Sequence, residues 1–268
     1  MKPLAAALLL FCALAQAQSP SHETVFYSSG ALKIEAYVYK PEGKGPWPAI
    51  LYNHGSREGQ ERQELPMPFI AEAFVPAGYV VFVVERRGYG KSEGTTFSDD
   101  VRGARDQRYV ARLDTEVEDV LAATDWLKQQ PYVFRDRVVV MGWSLGGIMT
   151  VLAAGRRTDY CAAIDQAAGA LSWKASPELQ AKLKDAAARV RVPLLSMVAE
   201  NDAQTEGLRT IDSLVPAPTP HKAIVYPPFH PAHPRPGVAD GHLLFGPANG
   251  GIALWQADTL AWIHQYCH

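Results

Sequence analysis

Hydrophobic positions along the chain fall into two rhythms. Short apolar runs, rich in Val, Ile and Tyr, recur at residues 25–28, 32–39, 49–52, 79–84, 138–141, 162–167, 193–199 and 223–226. These have the length and composition of strands. In 32–39, Ile34, Ala36 and Val38 alternate with Lys33, Glu35 and Tyr37, and the turn at Ser29-Gly30 predicts an antiparallel pairing with 25–28. Longer segments at 68–77, 113–129, 145–155, 175–191, 210–214 and 251–266 predict helices. The clearest is 113–129, where Val117, Val120, Leu121, Thr124 and Leu127 recur at helical spacing, until Pro131 stops it. From residue 49 onward strands and helices alternate. That order predicts an α/β fold with a mostly parallel central sheet and helices on both faces. Functional groups of such sheets gather beyond the carboxyl ends of the strands.

The segments beyond those ends carry the candidate chemistry. The run 138–141 leads into Gly142-Trp143-Ser144-Leu145-Gly146-Gly147 and then a helix. A serine hydroxyl is a poor nucleophile unless a base takes its proton and donors await the oxyanion. A strand-turn-helix elbow lifts that hydroxyl clear of the backbone. Asp202 follows the run 193–199, and His242 stands in Asp240-Gly241-His242, ahead of the last helix. The chain order is therefore Ser, Asp, His. Asp165 is a second candidate acid, while Asp240 lies too close to His242 along the chain. Gly88-Tyr89-Gly90-Lys91-Ser92 lacks the spacing of a phosphate-binding loop and reads as a tight turn. His230 and His233 lie in a proline-rich loop with no further ligand cluster, so no metal is expected.

Composition narrows the class. The chain has 268 residues, which suits one domain, and a net charge of −2, which does not suggest a nucleic-acid surface. Residues 1–17 have the pattern of a secretory signal peptide: Lys2, an apolar stretch over 4–14, and the small residues Ala15 and Ala17. The stretch is too short to span a bilayer, which needs roughly 20 residues. The expectation is a periplasmic or secreted protein without a membrane anchor, residues 18–268 forming one domain. Cys161 and Cys267 then remain. In an oxidising compartment they can pair, and the alternative is two free buried thiols.

Asn53-His54-Gly55-Ser56, the stretch from Arg87 to Gly94, the Ser144 elbow, Asp202 and Gly241-His242 span most of the chain. With these motifs in this order the sequence resembles the α/β-hydrolase superfamily, in its dienelactone hydrolase and prolyl-oligopeptidase-like branch. The resemblance implies the α/β-hydrolase fold, Ser144 as nucleophile, His242 as base, Asp202 as orienting acid and no cofactor. It implies an oxyanion hole made by the backbone N–H groups of Ser56 and Leu145. The segment 168–193, where relatives insert a lid, is short, so the lid is minimal. Trp143 and Trp173 are candidates for lining the substrate pocket, with Tyr89 and Phe97 behind them, and ordinary packing is the alternative for each. The expected function is an exported serine esterase acting on a small-molecule ester. Alternatives are a serine peptidase of the prolyl-oligopeptidase-like group, an acyltransferase, and a non-catalytic binding protein on the same fold.

Overall fold

Residues that alternate along each central strand belong to two different cores. A computed structural model describes residues 20–247 and 249–268; the expected signal peptide lies outside them. Strands β1 (Glu23–Ser29), β2 (Leu32–Tyr39), β3 (Trp47–Asn53), β4 (Val80–Glu85), β5 (Val133–Trp143), β6 (Ala162–Gln166), β7 (Leu194–Ala199) and β8 (His221–Tyr226) form one sheet, in the order β1-β2-β4-β3-β5-β6-β7-β8. β1 and β2 pair antiparallel, β2 meets β4 antiparallel, and the remaining pairings are parallel. The helices are α1 (Pro68–Phe74), α2 (Phe97–Val101), α3 (Arg105–Lys128), α4 (Leu145–Ala154), α5 (Pro177–Ala187), α6 (Glu206–Leu214) and α7 (Ile252–Tyr266). Val80, Phe82 and Val84 of β4 belong to the same core as side chains of α3, α4 and α5. Val81 and Val83 pack on the other face with those of α1 and α7. A strand covered on both faces must be apolar at every position, which is why β4 reads as an unbroken hydrophobic run. This is the α/β-hydrolase architecture. Among the described residues no helix is long and apolar enough to cross a membrane.

The chain leaves β3 for β4 on one side of the sheet and returns for β5 on the other. Loops leaving β3 and β5 therefore diverge and open a crevice, the usual place for a ligand in such sheets.

Several boundaries differ from the sequence reading. α3 starts at Arg105, well before residue 113, because Tyr109 belongs to its buried face and packs edge-on against Phe97 at 5.9 Å. The short α2 had no predicted counterpart. Thr96 caps it by accepting the Asp99 N–H, a signal too local for hydrophobic periodicity. β5 starts at Val133, five residues early, with Arg135, Asp136 and Arg137 outside the apolar run. α5 is shorter than residues 175–191, and Ser176 caps it through the Leu179 N–H. Cys161, just ahead of β6, and Cys267, just past α7, form a disulfide across 106 residues. It ties the last helix to the sheet, so the free-thiol alternative does not apply.

Candidate active site

Ser144 sits between β5 and α4 at φ 60, ψ −116, a conformation that non-glycine residues rarely adopt. The turn is held by its surroundings. The Ser144 N–H donates to Gln166 O at 2.8 Å, and the Ile148 N–H donates to Ser144 O at 3.1 Å. A Cβ on Gly146 would stand 1.9 Å from Asn53 O, so only glycine lets the first turn of α4 press against the end of β3.

His242 reaches Ser144 from a two-turn 3-10 segment, Asp240–Phe245. Its Nε2 lies 2.8 Å from Ser144 Oγ, and its Nδ1 lies 2.9 and 3.2 Å from the two Asp202 oxygens. A carboxylate only accepts, so Nδ1 carries the proton and Nε2 offers a lone pair to the serine O–H. The Asp202 side chain is fully buried beneath this imidazole. The close approach again depends on a glycine, because a Cβ on Gly241 would meet Asp202 N at 2.5 Å. Trp143 flanks the histidine, its ring 5.5 Å away and its Nε1–H donating to His242 O at 3.0 Å. Such a relay can take a proton from the serine as its oxygen attacks, and return it to a leaving group.

The other candidate acid lies elsewhere. Asp165 is buried in β6 and accepts the Ala168 N–H at 2.8 Å through Oδ1. Burial pushes its carboxyl up to about 7. Asp240 faces His230, 3.6 Å away at the surface.

The loop after β3 brings Gly55 and Ser56 beside the elbow, with a Cβ on Gly55 falling 3.4 Å from Ser144 Cβ. His54 shapes this loop. Its Nδ1–H donates to Gly55 O at 2.7 Å, and in a trans peptide the following Ser56 N–H points the opposite way. Burial, then the charges of Arg86 and Arg57, hold the His54 ring neutral. Leu145 opens α4, so its N–H has no carbonyl within the helix and adds to the positive end of the dipole.

Behind the loop lies a buried ionic cluster whose partners the sequence did not reveal. Arg57 pairs with Glu85, Arg86 with Glu116, Arg112 with Glu116, and Arg87 with Asp119. Glu35 stands across the antiparallel β2–β4 pair from Glu85. Burial raises Glu85 to about 7 against the pull of Arg57. Arg86 also donates to His54 O at 3.1 Å. The one available signal was charge placed at the end of an apolar strand, Glu85-Arg86-Arg87.

Two cavities flank the Ser56 ridge. One, of about 400 Å³, is lined by Ser144, Leu145 and Ile148 together with Phe97 and Tyr109, and Leu171 stands at its mouth. The other, of about 530 Å³, is lined by Trp143, Leu65, Met67, Phe69, Arg235 and Pro247. Ser56 and Glu58 border both. Of the tryptophans expected to line a pocket, Trp143 does so. Trp173 is 1% exposed and packed within the core on the α5 side, and it lines neither cavity. Phe97 lines the smaller cavity, whereas Tyr89 is buried edge-on against His54 at 4.6 Å. Arg105, on the rim of the smaller cavity, donates to both Glu58 oxygens at 3.0 Å. Among the described residues no group of three or more His, Cys, Asp and Glu side chains is placed to hold a metal.

Comparison with known proteins adds the lineage. A family model described as X-Pro dipeptidyl-peptidase (S15 family) matches residues 29–181, more than half of the chain. Among curated proteins the chain is similar to quorum-quenching protein AidA of Acinetobacter baumannii, 30% identical over 142 residues, 53% of this chain and 42% of that one. It is similar to YtmA of Bacillus subtilis, described as an uncharacterized peptidase, 29% identical over 150 residues, 56% of this chain and 49% of that one. The chain thus matches less than half the length of each. Among solved structures, dienelactone hydrolase from Anabaena variabilis superposes with a TM-score of 0.63 at 20% identity, covering 94% of this chain and 100% of that one. At that identity the likeness is one of fold.

Proposed function

The chain belongs to the X-Pro dipeptidyl-peptidase (S15) family and is a hydrolase of the α/β superfamily; on that premise we propose that it cleaves carboxylic esters through an acyl-enzyme on Ser144. One observation carries the reading: Ser144, held at φ 60, has Oγ 2.8 Å from His242 Nε2, whose other nitrogen faces buried Asp202. In the first half-reaction Ser144 Oγ attacks the ester carbonyl and its proton passes to His242. Asp202 holds the imidazole tautomer and stabilises the imidazolium. The N–H groups of Ser56 and Leu145 receive the oxyanion. His242 then protonates the departing alcohol. In the second half-reaction it deprotonates a water that releases the acid.

A peptidase would use the same groups, and the family name favours that second reading. Steady-state assays with p-nitrophenyl acyl esters and aminoacyl p-nitroanilides separate the two. Esters are expected to be the better substrates, and a higher kcat/KM on anilides would replace esterase with peptidase. Ser144→Ala is expected to lose on the order of 10⁶ in kcat, and unchanged activity would remove the assignment. A fluorophosphonate probe that leaves the wild type unlabelled would favour a binding protein. Formation of a new ester from an added alcohol acceptor would mark acyl transfer. The Cys161–Cys267 disulfide supports export as part of the proposal, because disulfides persist in oxidising compartments. Cell fractionation tests it.

A further inference from the structure

The two cavities that meet at Ser56 and Glu58 are unequal in chemistry, Ser144 lining the smaller and Trp143 the larger, and the position of His242 relates each to one half of a substrate. A tetrahedral intermediate on Ser144 Oγ has three other substituents: the oxyanion, the acyl group and the leaving group. The oxyanion is directed at the Ser56 and Leu145 N–H groups. The leaving atom must face His242 Nε2, which hands it the proton. Trp143 packs against that imidazole and bonds its backbone, and Pro247 follows the Asp240–Phe245 segment that carries it. Both line the 530 Å³ cavity. The 400 Å³ cavity is lined by Ser144 itself with Leu145 and Ile148 of α4, and by no residue of the Asp240–Phe245 segment.

We propose that the cleft is divided at Ser56 and Glu58, the Ile148 cavity receiving the acyl group and the Trp143 cavity receiving the leaving group. This rests on the ester reading of Ser144. Each cavity has the volume of a small-molecule site by itself, so the substrate class is an ester bulky on both sides. The leaving-group side is walled by Leu65, Met67, Phe69 and Trp143, with Gln60, Gln63 and Arg235 also in its lining, and takes an alcohol with an apolar body. The acyl side is mixed. Phe97 and Tyr109 form an aromatic wall, Arg105 lies over both rings at 5.6 and 5.4 Å, and its bond to Glu58 spans the rim. An acyl group with an apolar body and a hydrogen-bonding end fits that cavity. Leu171, 44% exposed at the mouth of the acyl cavity, and half-buried Leu65 in the other wall are positions where size can be added without opening the core.

The test is a grid of esters in which acyl and alcohol sizes vary independently, assayed by acid release with wild type, Leu171→Trp and Leu65→Trp. Wild type is expected to prefer bulky over acetyl acyl groups, and benzyl over ethyl alcohols, each by about 10-fold or more in kcat/KM, the scale on which pockets sort apolar groups. Leu171→Trp should flatten or reverse the acyl preference and leave the alcohol preference in place, and Leu65→Trp should do the converse. Crossed effects, with Leu171→Trp altering alcohol preference, would overturn the division. So would two variants that leave both preferences untouched. If wild type cleaves anilides and no ester, the ester reading fails alone. The same grid, built from anilides that vary in acyl and amine size, then decides the division. A wild type that cleaves neither class overturns both.

Discussion

Replacing Asp165 by Asn separates a structural carboxyl from a catalytic one and does so with a signed pH effect. Asp165 is 1% exposed in β6, where it accepts the Ala168 N–H and stands beside the Ser196 hydroxyl. Burial, partly offset by the Ala168 N–H and the Ser196 hydroxyl, raises the carboxyl from an ordinary 3.8 to about 7, a rise worth about 4 kcal/mol at 1.36 kcal/mol per pH unit. The folded state then holds a proton that the unfolded state has lost. The contribution is therefore complete below the unfolded value and disappears as pH rises through about 7. Asn keeps an oxygen for the Ala168 N–H and does not titrate. Ser196, the register partner of residue 165 on β7, can accept from the new amide. The stability advantage of Asp165→Asn over wild type is expected to widen by about 2 kcal/mol between pH 5.5 and 8. Glu85 titrates in both proteins, so it cancels in the difference. Urea unfolding followed by tryptophan fluorescence, without reductant, measures the difference. An advantage that stays constant with pH would mean that the Asp165 carboxyl is not raised in the folded state. Ester turnover by the same protein provides a second reading. It should stay near wild type, whereas a loss near the roughly 10⁴ typical of a triad acid replaced by its amide would place Asp165 in the relay.

Two further outcomes follow from the geometry. His54→Phe removes the donor to Gly55 O and frees the peptide that aims the Ser56 N–H; kcat should fall by about 10²–10³, as for a lost oxyanion donor, with KM little changed. Steady-state kinetics that show a raised KM and an intact kcat would contradict this positioning role. Removing the disulfide with Cys161→Ala and Cys267→Ala frees a loop of 106 residues and should cost about 2–5 kcal/mol in urea unfolding. A double variant matching oxidised wild type would show that α7 is held by packing alone.

The local code of this chain was strong where one physical cause acts over a few residues. Val138 to Met141 followed by Gly142 to Gly146 announces a buried strand and an elbow, because full burial demands apolar side chains and the strained turn demands small ones. Ser144, Asp202 and His242 could be nominated for the same reason: each follows a strand or precedes a helix where the fold class exposes side chains. Short capped helices were less visible. α2 has only five residues, and its Thr96 cap outweighs its hydrophobic pattern.

Contacts between distant segments were decided by the tertiary structure. Asp165 and Asp202 each lie at or just beyond the end of a strand, but only the turn after β7 brings its carboxylate to His242, 40 residues on. Cys161 and Cys267 are 106 residues apart and meet because α7 packs against the sheet beside β6. Trp173 has the composition of a pocket residue and the position of a core one, a difference of burial that no local pattern encodes. The charges of Arg57, Glu85, Arg86 and Glu116 would each be costly to bury alone, and pairing across three elements makes the cluster tolerable. The alternation of elements and the serine elbow were legible along the chain, because hydrophobic periodicity and turn sterics are local. The sheet order determined which acid meets the histidine, how the cysteines pair and how the cleft is divided, because those depend on distances between segments that only the packed chain brings together.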